Sequence, residues 1–194
     1  MKIGDGCYIN HRKLYAPTYC LSTNSINKDY IDYKKQELNK YNVYTSEFLG
    51  KSGYASKKPI YGIRTRVEPE ITLVGRMPIS EVLDNLDLYG LILYYLDDGS
   101  MHKSKYFMHI YCSKFTDEET EQLIDVLYKF FPEKRCSHHK EHKKDGRTFN
   151  YVYINKQVAE KFSEYVREFL LENNINSLLY KTISPSQTIE NINK

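Results

Sequence analysis

The sequence predicts an α+β protein made of two pseudo-symmetric repeats. Three observations carry that reading. An acid–glycine pair occurs twice, in Gly4-Asp5-Gly6 and in Asp97-Asp98-Gly99. After each pair the hydrophobic pattern runs in one order: a strand pair, a helix, a second strand pair. A helix-length apolar run, LYGLILYYLDDGS at residues 88–100, precedes and includes the second pair, whereas only Met1, Lys2 and Ile3 stand before Gly4. The first repeat is therefore read as residues 1–80, truncated at its N-terminus. The second spans 81–183, and 184–194 form a polar tail.

In the first repeat, residues 7–10 and 15–22 are short β-like runs. A helix is expected over 28–41, with Asn27 as its cap. Strands follow at 44–49 and 60–67, separated by a loop of Gly, Ser and Lys. Residues 68–85 read as a connection with short irregular structure, punctuated by Pro69 and Pro78.

The second repeat opens on the apolar helix. A helix apolar on nearly every side must be covered on nearly every side. Its end is electrostatically odd, because a helix C-terminus carries partial negative charge and favours Lys or Arg. Asp97 and Asp98 there cost a few tenths of a kcal/mol to about 1 kcal/mol unless a cation offsets them. Gly99 stands where a left-handed C-cap glycine would stop the helix. Strands are expected at 100–102 and 106–113. Thr116-Asp-Glu-Glu119 is a capping box opening a helix to about Phe131, with Leu123, Ile124, Leu127 and Phe131 in one stripe. Strands at 135–141 and 148–154 turn at Asp145-Gly146. The last helix, 157–171, places Val158, Phe162, Tyr165, Val166, Phe169 and Leu170 on one face.

Length and composition narrow the classes. The 194 residues suffice for one large or two small domains. The net charge of +3 is too mild to argue for a polyanion partner by itself. Cys7, Cys20, Cys112 and Cys136 are scattered without a CxxC pair, which points to reduced thiols. With no signal peptide and no apolar stretch of about 20 residues, a soluble protein with no membrane partner is expected.

With Asp5-Gly6 and Asp98-Gly99 closing the same element order, the chain resembles the LAGLIDADG homing endonucleases. LYYLDDGS looks like the branch of that family whose motif ends in an aromatic-rich helix and Asp-Asp-Gly-Ser. IGDGCY resembles the tail of the first motif, and INSLLYKT at 175–182 resembles the branch's closing segment. The resemblance covers nearly the whole chain. It implies αββαββα-type repeats whose antiparallel sheets form a saddle straddling DNA, with the two motif helices packed together. It places the family's acids on Asp5 and Asp98, each immediately before its glycine, holding Mg²⁺ or another divalent cation. Lys181, by its place in the closing segment, is the candidate catalytic basic residue that would help polarise the attacking water or stabilise charge near the metals.

The chemistry agrees. Phosphodiester hydrolysis needs an activated water and stabilisation of developing charge, and carboxylates converging on divalent metals provide both. Mg²⁺ takes few carboxylates, several waters and substrate oxygens.

Basic clusters recur at corresponding places: His11, Arg12 and Lys13 after the first motif, and His102, Lys103 and Lys105 after the second. Arg64 and Arg66, two apart, are expected on one face of a strand. Residues 134–147 are rich in Lys, Arg and His, including Arg135, His138, Lys140 and Arg147. On the strands and turns of a concave sheet these groups would neutralise phosphates and read base edges. The competing account is solvated surface and blunted sheet edges. Cys136, His138, His139 and His142 raise a zinc site, disfavoured because all four lie on one expected strand. Tyr151 and Tyr153 are expected to pack rather than to stack on bases.

The reading is a site-specific, metal-dependent DNA endonuclease encoded by a mobile element such as an intron. It would act on a long double-stranded DNA site in the cytoplasm of a phage host or in an organellar matrix. It would be a pseudo-twofold monomer, or a dimer if a second chain supplies the missing helix. The alternative is a non-cleaving nucleic-acid binder, an RNA maturase contacting intron RNA or a degenerate DNA binder. A phosphate-ester hydrolase using Asp97 and Asp98 together is the third class.

Overall fold

Two four-stranded antiparallel sheets form in the computed structural model, which describes residues 7–10, 18–51, 55–133 and 135–183. The chain divides into two compact units. One runs to Pro78 and takes back Leu171–Leu178; the other holds Ile79–Leu170 and the segment from Leu179.

In the first unit, β1 (Cys7–Asn10), β2 (Tyr19–Ser25), β4 (Pro59–Arg64) and β3 (Tyr44–Leu49) form a sheet in that order. Thr23 opposes Ile63 in the ladder, and both are buried on the side where Leu21 also lies. Against the sheet runs α1 (Lys28–Glu37), burying Tyr30, Ile31 and Tyr33. The helix is shorter than the expected 28–41: a 3₁₀ turn, Asn39–Tyr41, and left-handed Asn42 end it. Asn27 occupies the N-cap position, but its side chain makes no capping bond. Asp29 accepts from the Ser177 amide at 2.8 Å and from the Ser177 hydroxyl, which fastens Leu171–Leu178 to this unit.

The stretch 68–85, expected to be irregular, is helical: α2 (Pro69–Arg76) and α3 (Ile79–Asp84). The prolines begin these helices. Pro69 sits in the first turn of α2, where a missing N–H costs nothing. Pro78 immediately precedes α3.

In the second unit, α4 (Leu88–Asp98) leads directly into β5 (Gly99–His102). With β6 (Phe107–Cys112), β8 (Thr148–Ile154) and β7 (Cys136–His142) it forms the second sheet, order β5-β6-β8-β7. Met108, Ile110, Cys112, Val152 and Ile154 are buried on one face. Against the sheet run α4, on β5 and β6, and α5 (Asp117–Phe130), on β7 and β8, while α6 (Lys156–Glu172) packs through Phe162 on Tyr95 and Phe131. The Thr116–Glu119 capping box forms, with both reciprocal bonds present. Tyr165, expected on the buried face of α6, is instead 46% exposed at its edge, against Phe131. Gly146 turns the β7–β8 hairpin at φ +84°, a conformation glycine adopts without penalty.

Helix α4 is covered on two sides. Tyr94 points to the sheet, donating its hydroxyl to the Tyr111 carbonyl at 2.8 Å and stacking on Phe115. Tyr95 points the other way, packing on Phe162 of α6 and donating to the Lys181 carbonyl at 2.8 Å. Gly99 is not a left-handed cap: its φ of −101° and ψ of 159° are extended. Glycine is needed for close approach. A Cβ there would lie 2.1 Å from Tyr95 Cδ2 and 2.4 Å from the Tyr95 carbonyl oxygen. No helix among the described residues is long and apolar enough to cross a membrane.

Candidate nucleic-acid interface and acidic helix end

Asp87 caps the start of α4 through the Gly90 amide at 2.7 Å, and the buried residues Leu91, Ile92, Tyr95 and Leu96 fix its direction. Asp97 and Asp98 arrive half-buried where helix becomes strand. The cation their position requires is Lys181, at the end of the closing 3₁₀ turn (Asn176–Lys181). Lys181 is 8% exposed, and its ammonium donates to the Leu96 carbonyl at 2.7 Å and the Gly99 carbonyl at 2.8 Å. These two carbonyls bracket Asp97 and Asp98 in the chain. The lysine therefore holds the backbone that carries the acids. The Asp98 charge reaches neighbouring groups. Burial pushes the Cys112 thiol up to about 12 and the Tyr94 hydroxyl far above its ordinary value, and Asp98 acts in the same direction on both.

As a hard oxygen donor at a rigid helix end, Asp98 fits the part of one carboxylate on a Mg²⁺ that keeps waters and substrate oxygens. Asp5, its counterpart by motif, lies outside the described residues, as do His11, Arg12 and Lys13. Among the described residues no group of three or more His, Cys, Asp or Glu side chains is placed to hold a metal ion. The four candidate zinc ligands of residues 136–142 are not brought together. The period of the strand is the reason: Cys136, His138 and His142 point to one face of β7 and His139 to the other.

The same alternation corrects the expectation that residues 134–147 line one surface. His138 and Lys140 lie on the helix-facing side of the sheet, in register with Val152 and Asn150. His138 places Nδ1 3.2 Å from Glu121 of α5 and Nε2 3.1 Å from the Asn150 side-chain oxygen. Lys140 donates to Asp117 at 2.5 Å and holds that carboxyl below the usual carboxylate range. Asn150 donates to the Phe115 carbonyl and to Asp117. Arg147 closes back on Asp145 at 2.7 Å, with its guanidinium 5.4 Å from the Phe149 ring. Arg135 is exposed just before β7, its carbonyl accepting from the Asn155 amide. Lys103 and Lys105 are exposed in the β5–β6 turn.

The face of the second sheet turned from its helices carries rings. His102, Phe107, His109, Tyr111, Tyr151, Tyr153 and His139 occupy it by register. Tyr111 is 37% exposed, and Tyr151 and Tyr153 are half-buried on this open face rather than in the core. Sequence reasoning passed over His109, Tyr111 and Phe107. Their signal was present, since FMHIYC alternates, and the apolar Met108, Ile110 and Cys112 assign the remaining three residues to the outer face.

The corresponding face of the first sheet is polar toward the end of β4, while Phe48 and Ile60 share its other end. Ser22, Asn24, Arg64, Tyr44 and Ser46 share it by register. Arg64 ends β4, its Nε donating to Cys20 Sγ at 3.2 Å. Arg66, expected on the same strand face, lies beyond the strand end. It still comes to the same place, donating from Nε to the Tyr44 hydroxyl at 2.7 Å.

A half-buried acid thus ends a buried helix in the same unit as an open antiparallel sheet face, within an α+β fold of two four-stranded sheets. The family model described as the LAGLIDADG DNA endonuclease family matches residues 3–162, and the chain belongs to that family. The solved structure titled "The homing endonuclease I-WcaI bound to its DNA recognition sequence" superposes with a TM-score of 0.68 over 94% of this chain and 82% of that one, at 18% identity, so the fold is shared. The N-terminal LAGLIDADG domain of DUF199/WhiA aligns over 86% of this chain and 77% of that chain, with a TM-score of 0.46 and 16% identity. No curated protein matches the chain.

Proposed function

We propose that this protein is a site-specific, metal-dependent endonuclease of the homing type that cuts double-stranded DNA and is encoded by a mobile element such as an intron. The observation that carries the reading is Asp98, set half-buried at the α4–β5 junction by the Lys181 bonds to Leu96 and Gly99. I-WcaI, whose fold the chain shares, is a homing endonuclease bound to its DNA recognition sequence. The family membership supports the same activity.

In this reading Asp98 supplies one carboxylate oxygen to a divalent cation, with Asp5 as the acid of the first motif. When bound, the cation supplies Lewis-acid stabilisation of phosphate charge and an acidified water. Lys181 keeps the carboxylate in place by restraining the backbone on both sides of it. Arg64, Arg66, Lys103, Lys105 and Arg135 neutralise phosphates. Asn24 and Ser46 on the first sheet, and the ring-bearing face of the second, meet the groove where base edges are exposed.

The test is Asp98→Asn on the purified protein, with Mg²⁺ and a duplex carrying the chain's own insertion-site sequence. Losing several kcal/mol of charge stabilisation predicts cleavage slower by about 10³-fold or more. Duplex affinity should remain within about threefold, because Asn keeps the shape and adds no phosphate clash. An Asp98→Asn protein that cuts at the wild-type rate would sink the assignment. A wild-type protein that binds the duplex and never cuts it would turn the reading to the non-cleaving binder.

A further inference from the structure

The open face of the second sheet is not built mainly to neutralise phosphates. His102 of β5 stacks on Phe107 of β6, with centroids 4.5 Å apart. His109 lies 5.0 Å from Phe107, 4.7 Å from Tyr151 and 5.8 Å from Tyr153. His139 of β7 stacks on Tyr151 at 5.5 Å. Three histidines from three strands thus join one aromatic network, and His109, on a central strand, is half-buried within it.

The groups around His109 are Ser100 and His102 from β5, Tyr151 and Tyr153 from β8, His139 and Glu141 from β7, and Phe107 and Tyr111 on its own strand. Burial holds His109 below the ordinary histidine range, and positive charge on His139 and then His102 pushes it the same way. Glu141 pulls in the opposite direction as the smallest of these causes, and it is itself answered by Lys143 at 2.5 Å. Burial among the rings and the neighbouring imidazoles thus both disfavour the protonated form of His109 in the unbound protein.

A neutral imidazole offers one donor and one acceptor, whereas an imidazolium offers two donors. The major-groove edges of purines present acceptors at N7, with O6 added on guanine, and phosphates are acceptors only. We infer that His109, flanked by His102 and His139, is a specificity-determining residue that takes up a proton when duplex DNA docks on this face and then donates from both ring nitrogens to acceptor atoms of the DNA. This inference rests on the reading that the face meets duplex DNA. The phosphate field offsets the repulsion from His102 and His139, which is what lets the proton bind.

The sign of the linkage is fixed. The complex holds a proton that burial and the neighbouring histidines disfavour in the free protein, so affinity rises as pH falls. For one proton the rise is at most about tenfold per pH unit, and it ends once the free protein is protonated as well. G·C pairs should gain most, because guanine presents two acceptors, N7 and O6, where adenine presents N7 beside a donor.

The experiment binds a randomised duplex pool to the full chain at about pH 8 and about pH 6, the range in which histidine titrates, at one ionic strength, and sequences what is retained. Wild type should bind at least about fivefold tighter at the lower pH and retain sites enriched in G·C at the contacted pairs there. His109→Phe, which keeps the ring packing, and His109→Gln, whose neutral amide donates and accepts but cannot take up a proton, should each flatten the pH dependence. His102→Gln combined with His139→Gln removes the neighbouring charge and should move the rise to higher pH. Wild-type affinity and selected sequences that are the same at both pH values would overturn the inference. So would a His109→Phe protein with the full wild-type pH dependence. Absence of duplex binding at both pH values would instead sink the DNA reading beneath it.

Discussion

Asp98 and Lys181 show how one residue's cost becomes another's role. An acid at a helix C-terminus opposes the dipole, and the sequence alone says that a cation must answer it. Lys181 does so through the backbone, donating to Leu96 and Gly99 on either side of the acidic pair. Gly99 completes the arrangement, since any Cβ there would meet the Tyr95 ring and carbonyl. Lys181→Met keeps the length and loses the ammonium, which leaves two carbonyls without this donor. Removing charged bonds to buried acceptors predicts a loss of about 2–4 kcal/mol, read as a lower urea midpoint with unchanged slope. Cleavage should fall too, even where the variant is fully folded, because the backbone carrying Asp98 loses its restraint. A variant as stable as wild type would show that these bonds are exchanged for water at no cost.

Elements divide by whether local chemistry or tertiary packing defines them. Helix α5 announces itself by a capping box that the structure forms with both bonds. Helix α1 follows Asn27, an equally good cap by type, whose side chain makes no capping bond. Thr116→Ala should therefore cost about 1 kcal/mol, while Asn27→Ala should cost under about 0.5 kcal/mol, both read by chemical denaturation. Equal losses would mean that Asn27 caps in solution. The strands, α4, α5 and α6 were legible because apolar periodicity marks a buried face whatever lies against it. Helices α2 and α3 were not, because each is short and proline reads as a breaker until its place in the first turn is known. The ends of α1 and β4 also escaped, since packing against neighbours rather than a local signal sets them.

For the whole molecule, a net charge of +3 hides a distribution that only the structure sorts. The acid of the candidate site was legible at Asp98, because a motif and an electrostatic misfit coincide there. The candidate DNA contacts were less so, because a count of basic residues ignores which face a strand presents and which acids lie nearby. Lys140 looks like a phosphate contact in the sequence, yet it faces the helix side and is paired to Asp117. Arg66 touches the Tyr44 hydroxyl, a neutral group that leaves its charge uncompensated at that contact. Counterion release makes this difference measurable. Each phosphate neutralised contributes about 0.9 to the slope of log affinity against log salt on duplex DNA. Arg66→Ala should therefore lower the slope by about 1 and weaken binding nearly equally on all sequences. Lys140→Ala should leave the slope within about 0.3 of wild type, because that cation already has its anion. Titrating one duplex over a range of KCl concentrations reads both. If Lys140→Ala lowers the slope as Arg66→Ala does, Asp117 gives up its partner to DNA, and the helix-side face of the second sheet belongs to the interface.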